Sequence, residues 1–412
     1  MPTDIKMALR NIWRSPVRTI LTLSAIAFAA IILVFMLSFQ LGSYETMINS
    51  SVKIHTGHFQ VQAKNYNEKQ NIRLVIASPE TVAAKLDKIK QIQAYSFRSN
   101  SFSLISSKNR TRGVLVTGVD PEKEVLISTI GKLIRTGEYF NKNDRDKAII
   151  GSLLAKHLKV GLNDELTILG QGRDGSIAAG VVTVKAIFTS GVDALDRSSV
   201  QIPVNYFNDM FYMQGAVHEI VCTARSIYDV DNIKFELLTE LEKDPKNSKI
   251  VVLDWKDLIP GLVQGIKLDL ISALIFYFIL ILVVAFSILN TFLMAILERT
   301  KEFGVMLALG VKPNRLLKLV LMESGFLTLT GVTIGCVAGC LLTLWFQKYG
   351  INLEQASEIL KEYGMSGVVY PKLTFVSAFA GPAGVFLITA CAALYPAFKV
   401  KKLSPVEAMK VV

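Results

Sequence analysis

The chain has 412 residues, 51% of them hydrophobic and only 19% charged, with a formal net charge of +11. The apolar residues are bunched into long runs, which argues against one soluble domain. The basic excess sits beside those runs, which reads as membrane orientation and not as nucleic-acid binding. Of the four cysteines, Cys336, Cys340 and Cys391 lie in the runs and Cys222 is alone between them, so no intrachain disulfide is expected in that region.

In chain order, residues 1–18 come first. Ile5, Ala8, Leu9, Ile12 and Trp13 make an apolar face while Lys6, Arg10 and Arg14 stay polar, the pattern of a helix lying on the inner leaflet. The first apolar run, 19–41, reaches the roughly 20 residues that a helix needs to cross about 30 Å of hydrocarbon. It is longer than a signal-peptide core and no A-x-A site follows it, so an uncleaved first span is expected.

Residues 42–269 alternate period-2 and helical patterns. "HFQVQA" reads as a strand, "SPETVAAKLDKI" as a helix and "IQAYSFRSNSFSLIS" as one or two strands. Further on, "HEIVCTA", "IYDVDNIKFELLTELEK" and "KIVVLDW" read as strand, helix and strand. Two β-α-β units around a middle segment imply a split, ferredoxin-like arrangement, with a β-rich insert at about 110–205. "GQGRDG" fits G-x-G-x-x-G, but the strand-like "GVVTVKAIF" follows where a dinucleotide site needs a helix, so a hairpin tip is expected. His55, His58, His157 and His218 lack further ligands at metal-site spacing.

Before the second run, Trp255, Leu258, Ile259, Leu262, Val263 and Ile266 follow helical spacing, with Asp254 as N-cap and Pro260 as a kink. The run 270–297 gives roughly 42 Å of helix, more than the hydrocarbon needs, so it should tilt or project outward as a stalk. "GSYETMINSS" after the first span is a companion stalk candidate. The third and fourth spans are expected at 316–346 and 375–398, with a charge-balanced outer loop at 347–374 and a tail at 399–412. Lys and Arg cluster before the first span, between the second and third, and after the fourth. Both termini and residues 298–315 should therefore face the cytoplasm, with 42–269 outside.

The fold class expected is a membrane α-helical protein with four transmembrane helices. A large α+β extracytoplasmic domain is inserted between spans 1 and 2. The inner segment "ERTKEFGVMLALGVKPNR" carries Phe303, Met306, Leu307 and Gly310 on one helical face, with Gly304 and Ala308 as small neighbours. Glu298, Arg299, Lys301 and Glu302 can pair along the helix, Gly310 can stop it, and Pro313 can open the third span.

"ERTKEFGVMLALGVKPNRLLKLVLMESGFLTLTGVTIGCVAG" and "YPAFKVKKLSPVEAMK" resemble the signature regions of MacB/FtsX-type ABC-transporter permeases. "GHFQV", "VTGVDPEKEV", "AIIGSLLAKHLKVGLNDELTILG" and "VKAIFTSGVDALD" resemble the lipoprotein-releasing LolC/LolE branch. The resemblance implies a non-enzymatic permease subunit of the bacterial inner membrane that works by mechanotransmission and extracts lipoproteins for outer-membrane sorting. It implies a second permease copy or homologue, and a separate cytoplasmic ATPase chain holding ATP and magnesium, since 18 residues precede the first span. It also implies that 298–310 is the coupling helix resting in the ATPase, through Glu298, Arg299, Glu302, Phe303, Gly304, Met306, Leu307 and Gly310. A lipoprotein needs an apolar cavity open to the outer leaflet. Phe35, Met36 and Phe39 of the first span with Leu270, Leu274 and Phe278 of the second, from two protomers, are its expected walls. In the family one subunit carries an apolar hairpin hook for a periplasmic carrier. The matching "GQGRDGSIAAG" has a polar tip, which implies a hookless partner or a system without that carrier. The alternatives are MacB-like export of another amphiphile or peptide, and an FtsX-like scaffold controlling cell-wall hydrolases.

Overall fold

A computed structural model of the chain describes residues 3–108, 110–244, 249–352 and 368–401. Most of the expected 347–374 loop, and the tail beyond Lys401, lie outside the described residues. The described residues divide into two compact units: Glu45–Gly265 forms one, and the segments before and after it form the other.

Helix α1 (Thr3–Ile12) ends two residues after Arg10, and Pro16 opens α2 (Pro16–Ser51). Proline suits that first position because its missing N–H has no partner there anyway. The segment read as a companion stalk simply continues α2 to Ser51. A π-turn, Val52–Thr56, follows and stops at Gly57, whose φ is +73°. A Cβ there would lie 2.5 Å from the Val221 side chain, so only glycine fits.

The outer domain opens with β1 (Phe59–Ala63), α3 (Pro79–Leu86) and β2 (Ile92–Ser106), continues to β3 (Thr111–Val119), α4 (Pro121–Ile127), β4 (Ile134–Gly137) and β5 (Lys147–Gly151), and then forms the hairpin β6 (Glu165–Gln171) and β7 (Ile177–Phe188). It closes with β8 (Ser199–Pro203), β9 (Glu219–Ala224), α5 (Val230–Glu242) and β10 (Ile250–Asp254). The four strands β10-β1-β9-β2 are neighbours in that order and pair antiparallel. With α3 and α5 this is the split β-α-β arrangement, closed over a core of Phe59, Val61, Val82, Leu86, Ile220 and Leu237. The sequence left "IQAYSFRSNSFSLIS" as one strand or two. It is one strand of 15 residues shared by two packing units: Ile92–Arg98 pairs with β9, and Arg98–Ser106 pairs with β3. A second core, including Val116, Ile150, Leu166, Val182 and Phe207, fills the inserted part.

"GQGRDG" turns between β6 and β7, and a strand follows it, so the nucleotide-binding requirement of a helix is absent there. Gly175 takes φ +96° and the Asp174 carboxylate accepts from both the backbone and hydroxyl of Ser176. The turn is polar, but Ile177 just beyond it is 81% exposed, and Leu169 and Val181 are also exposed.

At the middle of β2, Arg98 and Glu124 of α4 form a fully buried pair, Nε to Oε2 at 3.1 Å and Nη2 to Oε1 at 2.6 Å. Arg98 also donates to the His55 carbonyl. Two of the histidines serve the backbone. His218 accepts the Asn100 N–H on Nδ1 (3.0 Å) and donates from Nε2 to the Ile72 carbonyl (3.0 Å), while His58 accepts the Ala224 N–H on Nδ1 (2.9 Å). An accepting ring nitrogen must be unprotonated. Burial pushes His58 and His218 down to about 4, and burial with the neighbouring Arg98 pushes His55 down to about 3.

After β10, Asp254 caps α6 (Trp255–Leu258) in a reciprocal capping box with Asp257. The expected amphipathic helix kinked at Pro260 is instead two helices. Ile259 is non-helical (φ −126°, ψ 65°) and Pro260 begins α7 (Pro260–Glu298). Proline lacks the N–H that would continue α6, and it drives the preceding residue out of the helical region. Next come α8 (Thr300–Ala308), α9 (Pro313–Tyr349) and α10 (Phe375–Lys401). Helices α2, α7, α9 and α10 are each long and apolar enough to cross a membrane. Small residues let three of them approach closely. Gly331, Gly335 and Gly339 of α9 face α2, where a Cβ on Gly335 would lie 2.4 Å from the Ala27 carbonyl oxygen. Helix α7 differs: 6% of its most apolar stretch is buried, against 33–39% in the others.

The histidine pattern fixes a pH response of the outer domain. An unfolded histidine titrates near 6.5, so between 6.5 and about 4 the unfolded state binds protons that folded His58 and His218 refuse. Stability is complete above 6.5 and falls with acid, by up to about 1.4 kcal/mol per pH unit for each histidine. Glu219, whose carboxyl is raised by burial against the pull of Arg98, acts in the opposite direction. Hydrogen exchange of β2 and β9 in the intact chain, corrected for intrinsic rates, should show protection lost between pH 7 and 5. The slope should flatten in His218→Gln. Equal protection at both pH values would refute this account.

Candidate functional site

The segment 298–310 is the site the sequence singles out. Helix α7 ends at Glu298, and Arg299 (φ −101°, ψ 10°) breaks the path before α8. Helix α8 ends at Ala308, and Gly310, whose φ is +88°, closes the turn after it, with Gly310 N–H to Leu307 O and Val311 N–H to Met306 O both at 3.0 Å. Pro313 then starts α9. Stop and restart fall where glycine and proline require them.

The apolar face points the other way from the expected docking surface. Phe303 is 1% exposed and packs among Ile296, Leu316, Val320 and Ala397, with Met306 and Leu307 against the same cluster. Gly304 is buried as well. These residues anchor α8 to its own bundle, because an amphipathic helix beside apolar neighbours buries its apolar face there first. The open side carries Lys301, Val305, Ala308 and Leu309, the last 80% exposed, and Gly310 is exposed beside them.

The charges expected to pair along α8 mostly pair across the bundle. Arg299 keeps one such contact, Nε to Glu302 at 3.5 Å, but its Nη1 reaches Glu323 of α9 at 3.1 Å. Glu302 takes Arg14, with contacts of 2.6 and 2.7 Å, and Glu298 takes Arg18. The guanidinium of Arg299 also sits over the Phe303 ring at 5.3 Å. Asn11 hydrogen-bonds Glu323. The result is a chain, Arg14–Glu302–Arg299–Glu323–Asn11, that ties the N-terminal segment to α8 and α9. It surrounds a cavity of about 280 Å3. Arg14, Arg18 and Glu323 belong to this site although no helical or motif spacing marks them. A carboxylate at the edge of an apolar run is nonetheless a signal, since it is costly there without a partner.

The six expected cavity residues do not converge within one chain. Phe35 stacks with Phe39 (6.3 Å) and packs on Phe346 of α9 (5.5 Å), whereas Met36, Leu270, Leu274 and Phe278 are exposed. Beside them a polar knot joins α2 and α7: Tyr44 donates to Asp269 at 2.6 Å and Tyr277 to Gln40 at 2.9 Å.

Two family models match the chain. The MacB-like periplasmic core domain family matches residues 19–239, more than half of the chain, and the FtsX-like permease C-terminal family matches residues 274–405. The chain belongs to the MacB/FtsX family of ABC-transporter permeases. Permeases of this family are not catalytic and work with cytoplasmic ATPases. This MacB/FtsX permease is 22% identical over 324 residues to the lipoprotein-releasing system transmembrane protein LolC of Neisseria meningitidis, covering 75% of each chain. It is 21% identical to LolE of Haemophilus influenzae, covering 80% of each. It is also 28% identical over 214 residues to the uncharacterized ABC transporter permease MJ1507 of Methanocaldococcus jannaschii, 51% of each. Among solved structures, the extracellular domain of the noncanonic ABC-type transporter YknZ from Gram-positive bacteria aligns at 12% identity and a TM-score of 0.36. The alignment covers 48% of this chain and 99% of that one.

The Arg299–Glu323 pair can be tested by a double-mutant cycle. Removing one partner leaves an uncompensated, largely buried charge, whereas removing both does not. Arg299→Gln and Glu323→Gln should each lower the melting temperature of the detergent-solubilised permease, and the double variant should fall less than the sum of the two. Strict additivity would show that the pair contributes nothing.

Proposed function

We propose that this permease extracts lipoproteins from the inner membrane for outer-membrane sorting, driven by mechanotransmission from a separate ATPase chain that holds ATP and magnesium. Both termini and α8 face the cytoplasm in this reading, following the Lys and Arg distribution. The observation that carries the coupling part is the two-sided character of α8. Its Phe303 side is wedged against Ile296 of α7 and Val320 of α9, while Val305 and Leu309 are open to a partner. A push on the open side is delivered to the base of α7, a helix of 39 residues without a break. Lipoprotein as substrate is supported by the likeness to LolC and LolE over 75–80% of their length. The exposed apolar Leu270, Leu274 and Phe278, facing a second permease copy or homologue, suit acyl chains, and no charge falls between Leu270 and Leu297.

Two outcomes follow. Leu309→Asp should weaken ATPase co-purification by roughly tenfold or more, as loss of a central apolar anchor does, without changing insertion or melting of the permease. Phe303→Ala should instead lower the melting temperature. Undiminished ATPase binding in Leu309→Asp removes the open face as the docking surface. A photocrosslinker at Leu274 should capture an acylated protein that ATP turnover releases. Capture of a peptide or free lipid during normal lipoprotein sorting would favour the MacB-like export reading.

A further inference from the structure

The charged cavity beside α8 has a second feature that coupling does not use. It opens onto a groove lined by Val17 and Leu21 of α2 and Met294 of α7, and both spaces share Ser15, Arg18 and Thr291. Val17, Leu21 and Met294 are 72%, 63% and 55% exposed, on helices that cross the membrane. A polar cavity that continues into an apolar groove at a helix end has the form of a headgroup and its acyl chain.

We infer that this is a binding site for a membrane phospholipid whose headgroup carries both a phosphate and a primary ammonium, of the phosphatidylethanolamine class. Charge selects the headgroup. The lining holds Arg14, Arg18 and Arg299 against Glu298, Glu302 and Glu323, so it is formally neutral but strongly divided. Each carboxylate already has an arginine partner, but Glu298 accepts one bond from Arg18 and keeps lone pairs for which an acidic headgroup without an ammonium supplies no cation. A quaternary ammonium cannot donate hydrogen bonds to those carboxylates, whereas a primary ammonium donates three. Arg18 stands where the two spaces join. Among the described contacts it uses Nη2 for Glu298, which leaves its other donors for phosphate, beside the Ser15 hydroxyl. Glu298 and Glu302, 43% and 37% exposed, are within the same cavity to take the ammonium. The apolar groove decides between a lipid and a free anion: inorganic phosphate has no use for Val17, Leu21 and Met294. A lipid seated there would bridge the N-terminal segment, α2 and α7 beside the helix that meets the ATPase.

The test uses the full-length permease in native membranes without its ATPase, so its result does not depend on the substrate proposed above. A photocrosslinking residue replaces Leu21, and another replaces Tyr395 near the cytoplasmic end of α10, which is 63% exposed and serves as a reference for bulk lipid of the same leaflet. Phosphatidylethanolamine should be enriched at Leu21 over Tyr395, and Arg18→Gln should reduce that enrichment by about tenfold, the loss of one charge-assisted hydrogen bond. Because Arg18→Gln also breaks an ion pair, Ser15→Trp, which fills the shared mouth and leaves the pairs intact, should reduce it too. The proposal is overturned if the lipid captured at Leu21 matches that at Tyr395, if acidic lipid is enriched instead, or if neither variant changes the capture. It is equally overturned if millimolar inorganic phosphate displaces the lipid, since the site would then be a simple anion site.

Discussion

Arg299 and Glu323 are opposite charges held at the edge of an apolar bundle, and the arrangement around α8 follows from keeping them paired. Charge at a membrane edge is tolerated when it is matched and hydrogen-bonded. Arg299 sits at the break between α7 and α8, so the pair fixes where α7 stops and in which direction α8 leaves. Glu302, one turn on, accepts from both Arg299 and Arg14, which brings the N-terminal segment into the same network. With its charged end fixed, α8 has one orientation in which Phe303 is covered, and it adopts that one.

The outer domain relies on a related device. Strand β2 serves two cores, and the point where its partner changes from β9 to β3 is Arg98. A side chain that large, fully buried and bonded to Glu124 and to the backbone of the turn after α2, can occupy one register only. A slip by one residue would turn it to the opposite face of the sheet and leave Glu124 an unpaired buried charge. The pair therefore reads as a register lock for a strand that apolar alternation alone leaves ambiguous, with "SFRSNS" polar through its middle.

How much of this was legible depends on the range of the interaction. Local signals were readable: the cap at Asp254, the stop at Gly310, the start at Pro313 and the four long apolar runs are each decided within a few residues. The kink expected at Pro260 failed by one step, since the same proline chemistry supports ending one helix and starting another. The direction of the apolar face of α8 was not legible. Phe303, Met306 and Leu307 are equally suited to a partner protein or to their own bundle, and tertiary neighbours decide which. Pairs such as Arg14–Glu302, separated by 288 positions, leave no local trace. "GVTIGCVAG" spaces Gly331, Gly335 and Gly339 four apart, which is a helix-packing pattern as well as part of a family signature.

The uneven packing of α7 bears on the mechanical form of the proposed coupling. Lipid covers an exposed apolar face at little penalty, so exposure alone does not mark α7 as special. What matters is where along its length it is held. Toward α8, Ile288, Phe292 and Ile296 are buried in the bundle, and Glu298 pairs with Arg18. Toward the other end, Ile271, Leu274, Phe276 and Phe278 are exposed, and hydrogen bonds through Gln40, Tyr44, Asp269 and Tyr277 hold the helix to α2. Helices α9 and α10, by contrast, lock onto α2 through glycines that admit no displacement without losing contact, as Gly335 and Gly381 do against Ala27 and Leu33. Displacing the exposed half of α7 breaks a few hydrogen bonds and exchanges lipid for lipid, whereas displacing α9 opens a close-packed seam. A displacement applied at α8, as the proposed coupling requires, would therefore meet least resistance along α7.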